Sequence, residues 1–153
     1  MEEVVILCGG KGTRLSEETI FKPKPMVEIG GKPILWHIMK SYSNYGYKKF
    51  ILALGYKGHI IKDYFYNSRI NQSDFTLKMN PSENPIFHNT IIENDWEISF
   101  INTGEETLKG GRLKKVEKYI KSEIFFVTYG DGVSNININE LFKFHKKHSK
   151  IAT

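Results

Sequence analysis

The sequence predicts an α/β fold, a parallel or mostly parallel sheet flanked by helices on both faces, and three observations carry that prediction. Short unbroken apolar runs at Val4 to Cys8, Phe50 to Leu54 and Ile124 to Tyr129 have the composition of strands buried on both sides. Segments with helical apolar spacing alternate with them, as βαβ units require. Glycine-bearing loops leave two of the runs, at Gly9 to Arg14 and Gly130 to Gly132, and open parallel sheets bind ligands at the carboxyl ends of their strands.

Taken in order, Val4 to Cys8 is a core strand that runs straight into the glycine-rich loop. Pro33 suits the first turn of a helix whose apolar positions Ile34, Leu35, Ile38, Met39 and Tyr42 share a face, with Gly46 placed to end it. Phe50 to Leu54 is the next strand, closed by Gly55, and a short helix is expected from Gly58 through Tyr66. Asn67 to Asp95 is polar and irregular, broken by Pro81 and Pro85, with weak strands only near Phe75 to Met79 and Phe87 to Ile92. Glu97 to Asn102 alternates as a strand, and Arg112 to Lys121 is a helix with Leu113, Val116 and Ile120 on one face. A buried strand at Ile124 to Tyr129 and a helix at Asn139 to His148 follow. Ile151 to Thr153 read as the start of a further strand, so the expectation is one domain over residues 1–153, truncated at its C-terminus.

Composition bounds the function. A chain of 153 residues with 40% hydrophobic residues can bury one ordinary core, which excludes disordered and fibrous classes. No window reaches the roughly eighteen uninterrupted apolar residues of a membrane span. The acidic start, Met1-Glu2-Glu3, is unlike a signal peptide, so a cytoplasmic location is expected. The one cysteine, Cys8, has no partner for an internal disulfide and lies in an apolar run, where it reads as a small buried hydrophobe. A net charge of +5 suits an anionic ligand without selecting one.

Gly9, Gly10 and Gly12 remove side chains where backbone amides would approach a polyphosphate, Thr13 adds a hydroxyl, and Arg14 a guanidinium able to grip phosphate oxygens twice. The dinucleotide fingerprint would need a glycine at Leu15, and a Walker loop would need lysine and then serine or threonine where Thr13-Arg14 stand. In Lys22-Pro23-Lys24-Pro25 each lysine precedes a proline, which bars the helical region and presents both ammonium groups from an extended backbone. Such fixed positive charge serves phosphoryl chemistry, although the same tetrapeptide also suits a stiff surface linker. Asp131, between Gly130 and Gly132 at a strand's end, is placed for Mg²⁺; a plain turn with a capping aspartate reads the same way. Gly110, Gly111 and Arg112 open a helix and could admit a flat base and an anion. Lys114, Lys115, Lys118 and Lys121 form a solvated face rather than a nucleic-acid surface, and His145 with His148 lack further ligands for zinc.

Together LCGGKGTRL (Leu7 to Leu15), KPKPMVEIGGKPILWHI (Lys22 to Ile38), GYKG (Gly55 to Gly58), GGRLKKV (Gly110 to Val116) and TYGDGV (Thr128 to Val133) resemble the sugar-1-phosphate nucleotidyltransferases. The resemblance implies their Rossmann-like fold and, among their activities, cytidylyl transfer from CTP to glucose 1-phosphate, giving CDP-glucose and pyrophosphate. Uridylyl or thymidylyl transfer by the same apparatus, and a non-catalytic assembly subunit with the same fold, are the alternatives. By resemblance Leu7, Gly9, Gly10, Gly12, Thr13 and Arg14 hold the nucleotide, with Gly111 and Arg112 near the base. Arg14 and Lys24 act on the reacting phosphates, Lys24 by neutralising them, and Asp131 binds Mg²⁺. A homo-oligomer is expected, with no nucleic-acid or membrane partner. Cys8 replaces the family's usual alanine, Lys109 replaces a common threonine, and residues 67–95 match poorly. Family members continue further and there supply a second metal-binding aspartate and a sugar pocket, so this chain alone is expected to turn over little.

Overall fold

The computed structural model describes residues 2–11, 21–80, 82–88 and 95–153. Its centre is a four-stranded parallel sheet built from β1 (Glu3–Cys8), β4 (Lys49–Leu54), β7 (Glu97–Asn102) and β8 (Phe126–Tyr129), in the spatial order β7-β4-β1-β8. Two antiparallel ribbons of two-residue strands, β2 (Glu28–Ile29) with β3 (Lys32–Pro33) and β5 (Phe75–Thr76) with β6 (Ile86–Phe87), lie outside it. The helices are α1 (Ile34–Asn44), α2 (Gly58–Asn71), α3 (Lys109–Val116) and α4 (Ile138–His148).

The strict alternation along β1 explains the layering. Val4, Ile6 and Cys8 join Phe50, Leu52 and Leu54 of β4 against Leu35, Ile38, Met39 and Tyr42 of α1, Ile61 of α2 and Ile138 of α4. Val5, with Ile51 and Ala53, packs on the opposite face against Val116 of α3. Every β1 residue except Leu7 is buried, so this strand must be apolar on both faces. The β-branched run predicted that, and helices on both faces follow from it.

Boundaries moved where local sequence was a poor guide. Pro33 is the last residue of β3 and the residue before α1, extended at ψ 149°, rather than part of the first helical turn. Gly46, at φ +91°, sits two residues past Asn44, in a conformation that costs a side-chain-bearing residue far more. The helix expected to stop at Tyr66 runs on to Asn71, because the polar residues beyond Tyr66 interrupt the apolar stripe without interrupting the backbone ladder. Between Phe75 and Met79 only the first two residues pair, and of the weak strand near Phe87 to Ile92 the part at 89–92 falls outside the described residues. Helical structure begins at Lys109 instead of Arg112 and tightens into a 3₁₀ turn over Glu117–Tyr119.

Two corrections concern the edge of the sheet. The strand expected from Ile124 starts at Phe126, and Val127 and Tyr129 are 45% and 51% exposed. They face the side carrying α3, which stands over β1 and β4 and leaves this edge strand uncovered. Ile151 to Thr153 form no strand. A strand exists only through a neighbour's ladder, and here the chain folds back on α4, where the Thr153 hydroxyl meets His145 Nδ1 at 2.7 Å and His148 Nε2 at 2.6 Å.

The opposite end of β1 carries a buried charge. Glu3 accepts hydrogen bonds from the amides of Lys121 (3.2 Å) and Ser122 (3.1 Å) and from the Ser122 hydroxyl. Burial opposes its ionisation, but these donors outweigh it and hold the carboxyl below its ordinary range. With the folded value depressed, the stabilisation is present above the unfolded carboxylate value of about 4.3 and disappears as pH falls through the lower folded value. Glu3→Gln is expected to cost about 2 kcal/mol at neutral pH, with the gap closing as pH falls through the depressed carboxyl value. Urea unfolding of both chains across that range measures it; a gap independent of pH would refute the ionic role.

Candidate active site

The strand order places the change of winding direction between β1 and β8, since β4 and β7 lie on one side of β1 and β8 on the other. Parallel sheets part their loops at such a point and leave a crevice. A cavity of about 560 Å³ opens there, a volume suited to a small-molecule ligand, and Leu7, Gly9, Gly10, Lys24, Arg112 and Asp131 all contribute to its wall. Of the residues singled out from sequence, Gly12, Thr13 and Arg14 lie outside the described residues. Gly111 does not line the cavity. It packs instead against Thr107, whose Cγ2 would be 2.9 Å from a Cβ at that position.

Lys24 reaches the site from a 3₁₀ turn over Lys24–Met26, closed by Met26 N donating to Pro23 O at 2.8 Å and Val27 N to Lys24 O at 3.0 Å. Pro23, at ψ 151°, is extended as expected of the whole tetrapeptide, whereas Lys24 and Pro25 belong to the turn. Burial of Pro23, Pro25 and Met26 decides the matter, and Pro25's missing N–H costs nothing in so short a turn. The turn leaves Lys24 Nζ 3.8 Å from Asp131 Oδ2, with the two side chains 23% and 42% exposed.

Asp131 follows β8 through Gly130, whose amide donates to Leu7 O at 3.1 Å and so extends the β1–β8 pairing to the rim of the cavity. A Cβ on Gly130 would lie 2.9 Å from Cys8 Sγ and 3.0 Å from Pro25 Cγ, so close packing by these two neighbours requires glycine. Burial, and then the charge of Asp131, push the Cys8 thiol pKa up, which keeps it protonated and inert.

Arg112 behaves unlike a free anion clamp. Its side chain is buried inside α3's first turns, and its guanidinium donates to Gly9 O (2.9 Å), Gly104 O (2.8 Å), Glu105 O (3.0 Å), Leu54 O (3.2 Å) and Thr103 Oγ1 (2.6 Å). Burial lowers its pKa, and no carboxylate is among these partners. The group ties together the ends of β1, β4 and β7. It also explains two glycines, because a Cβ on Gly9 would lie 2.0 Å from Arg112 Nη1 and one on Gly55 2.6 Å from the same atom. Gly10 differs: a Cβ there would meet nothing within 4 Å, so its backbone faces open space.

Sequence reasoning passed over Lys11, Glu105, Glu106 and Tyr129 and noted Lys109 only as a replacement for threonine, yet all five line the cavity. Lys109 Nζ stands 5.0 Å from the centre of the Tyr129 ring, and Lys11 pairs with Glu106. Lys11 was legible as the one side chain between the loop's glycines. Glu106 was not, because only the parallel pairing of β4 with β7 brings its loop to β1's end. Among the described residues no three His, Cys, Asp or Glu side chains converge as a metal cage, and no helix is long and apolar enough to cross a membrane.

Residues 3–153 match the family model described as nucleotidyl transferase. The chain is 53% identical over 152 residues to a glucose-1-phosphate cytidylyltransferase of Salmonella typhimurium, and 47% identical over 151 residues to a probable glucose-1-phosphate cytidylyltransferase of Bacillus subtilis. Each alignment covers 99% of this chain and 58% of the relative, so the chain spans little more than half the length of these proteins. Among solved structures, HddC from Yersinia pseudotuberculosis complexed with GMP-PN superposes with a TM-score of 0.65 at 32% identity, covering 95% of this chain and 54% of that one.

Proposed function

The chain belongs to the nucleotidyl transferase family, and from that premise we propose that the cavity at the β1–β8 switch point is the nucleotide half of a cytidylyl-transfer site. The observation that carries this reading is the meeting of Lys24 and Asp131, 3.8 Å apart, beside the backbone of the glycine loop. In the reaction an oxygen of glucose 1-phosphate attacks the α-phosphorus of CTP. The bond from that phosphorus to the bridging oxygen of the β-phosphate breaks, and CDP-glucose and pyrophosphate result. Similarity to the cytidylyltransferases supports the choice of base and sugar.

Each residue then has a role. The open backbone at Gly10, with Gly12, Thr13 and Arg14, receives the triphosphate. Lys24 opposes the charge that accumulates on the reacting phosphates, the main service a protein renders in such transfers. Gly9, held in place by Arg112, and Leu7 line the cavity beneath the nucleotide, and Gly111 lets α3 approach the loop that precedes it. Asp131 fits Mg²⁺: a single partly exposed carboxylate at the rim suits an ion that retains waters and takes phosphate oxygens. When bound, Mg²⁺ would neutralise phosphate charge and help align the leaving group.

Equilibrium titration of the chain with CTP, UTP and dTTP, with and without Mg²⁺, tests this function. CTP is expected to bind most tightly and more tightly with the metal. Equal affinity for the three nucleotides would overturn the cytidylyl assignment, and no binding of any of them would overturn the site.

A further inference from the structure

We infer that Lys11 is a further phosphate-gripping residue of this cavity, and that Glu106 is the resting counter-ion it exchanges for the ligand's phosphate. This inference rests on the nucleotide-binding reading of the pocket and assigns to it a pair that the reading leaves unused. The two residues stand on opposite walls of the opening, Lys11 on the loop leaving β1 and Glu106 on the loop leaving β7, and their side chains close an ion pair across it.

Three lysines contribute to the cavity wall, and the other two are engaged differently. Lys24 faces Asp131, and Lys109 lies over the Tyr129 ring. Lys11 alone of the three is matched with a carboxylate that has no further assigned role. That carboxylate is 81% exposed and the lysine 46%, so water screens the pair and it is weak. A polyphosphate brings several negative charges to the place where Glu106 offers one, and exchange favours the ligand.

The backbone around the pair is pinned. Arg112 holds Gly9 O on one wall and Gly104 O and Glu105 O on the other. Thr107 Oγ1 donates to Thr103 O at 2.6 Å, and Lys115 Nζ donates to both Thr103 O and Thr107 Oγ1. Exchange therefore needs rotation of two exposed side chains, beside backbone that is held at Gly9, Gly104 and Glu105. The neighbouring Glu105 deepens the negative field at the mouth, so Lys11 also shields an entering anion from two carboxylates.

Calorimetric titration of the 153-residue chain at low ionic strength, with inorganic tripolyphosphate and with CTP as probes, tests the exchange in the wild type, Glu106→Gln, Lys11→Gln and the double variant. Glu106→Gln is expected to tighten both probes about threefold and Lys11→Gln to weaken them about threefold, the scale of one exposed charge pair. In the double variant the benefit of Glu106→Gln should shrink well below threefold, because only the residual field of the removed carboxylate is left once Lys11 is absent. Equal tightening by Glu106→Gln with or without Lys11 would show a mere field effect and overturn the exchange, as would unchanged or weaker binding by Glu106→Gln. If the wild type binds neither probe, this inference and the nucleotide-pocket reading fail together; if it binds both without the coupled pattern, the inference alone fails.

Discussion

Arg112→Met is expected to lower the unfolding free energy by about 3–4 kcal/mol, which for a chain of this size shifts the thermal midpoint by roughly 10 °C. Methionine retains much of the stem's volume and none of the donors. Leu54 O keeps the amide and hydroxyl of Thr103, at 2.8 and 2.6 Å, and Gly9 O keeps the amide of Tyr56 at 3.3 Å. The cost falls on Gly104 O and Glu105 O, and on a hole among β1, β4 and β7 where the guanidinium stood. Lysine should rescue little, because a single ammonium cannot span acceptors on three strand ends that the planar fork reaches together. Urea denaturation of the three chains gives the comparison. A midpoint unchanged in the methionine variant would mean that water replaces the guanidinium without loss, and Arg112 would have to be reassigned to the ligand.

Asp131→Asn is expected to abolish the Mg²⁺-dependent gain in CTP affinity, weakening metal-loaded binding by at least about tenfold. The same substitution removes a negative charge from the proposed phosphate site and frees Lys24, which now shares its charge with Asp131. Metal-free CTP should therefore bind the variant slightly more tightly than the wild type. These opposite signs separate a metal-binding carboxylate from one that serves only as a turn cap or an ion-pair partner. If CTP affinity with and without Mg²⁺ fell in parallel, the metal role of Asp131 would be excluded and a structural role would stand.

Both substitutions fall on residues visible in the sequence, but what could be read there differed. Asp131 sits where expected, since a glycine-flanked aspartate after an apolar run needs only the strand to be real, and β8 is. Arg112 shows the limit of that approach. Two glycines and an arginine at a helix start resemble an anion site, yet the side chain turns inward to carbonyls contributed by Gly9, Leu54, Gly104 and Glu105. Three of those four lie outside α3's own flanking loop or at its far end, and no local pattern announces them. The glycine at position 9 was likewise legible as a requirement, while its cause was not: the guanidinium fills the space a side chain would need.

By itself the sequence determined the sheet strands, the four helices, the layered arrangement and two of the loops that frame the cavity. Those features follow from apolar periodicity and from glycine and proline placement, which act through neighbouring residues and are written in order along the chain. Only the tertiary structure decided that β8 lies at the edge of the sheet among the described residues, that Lys24 leaves a 3₁₀ turn to meet Asp131, and that Lys11 faces Glu106. It also decided that Arg112 serves the backbone. Each depends on groups far apart in sequence being carried to one place by strand pairing, and a hydrogen bond or charge contact is set by that distance in space, which local residue patterns do not encode.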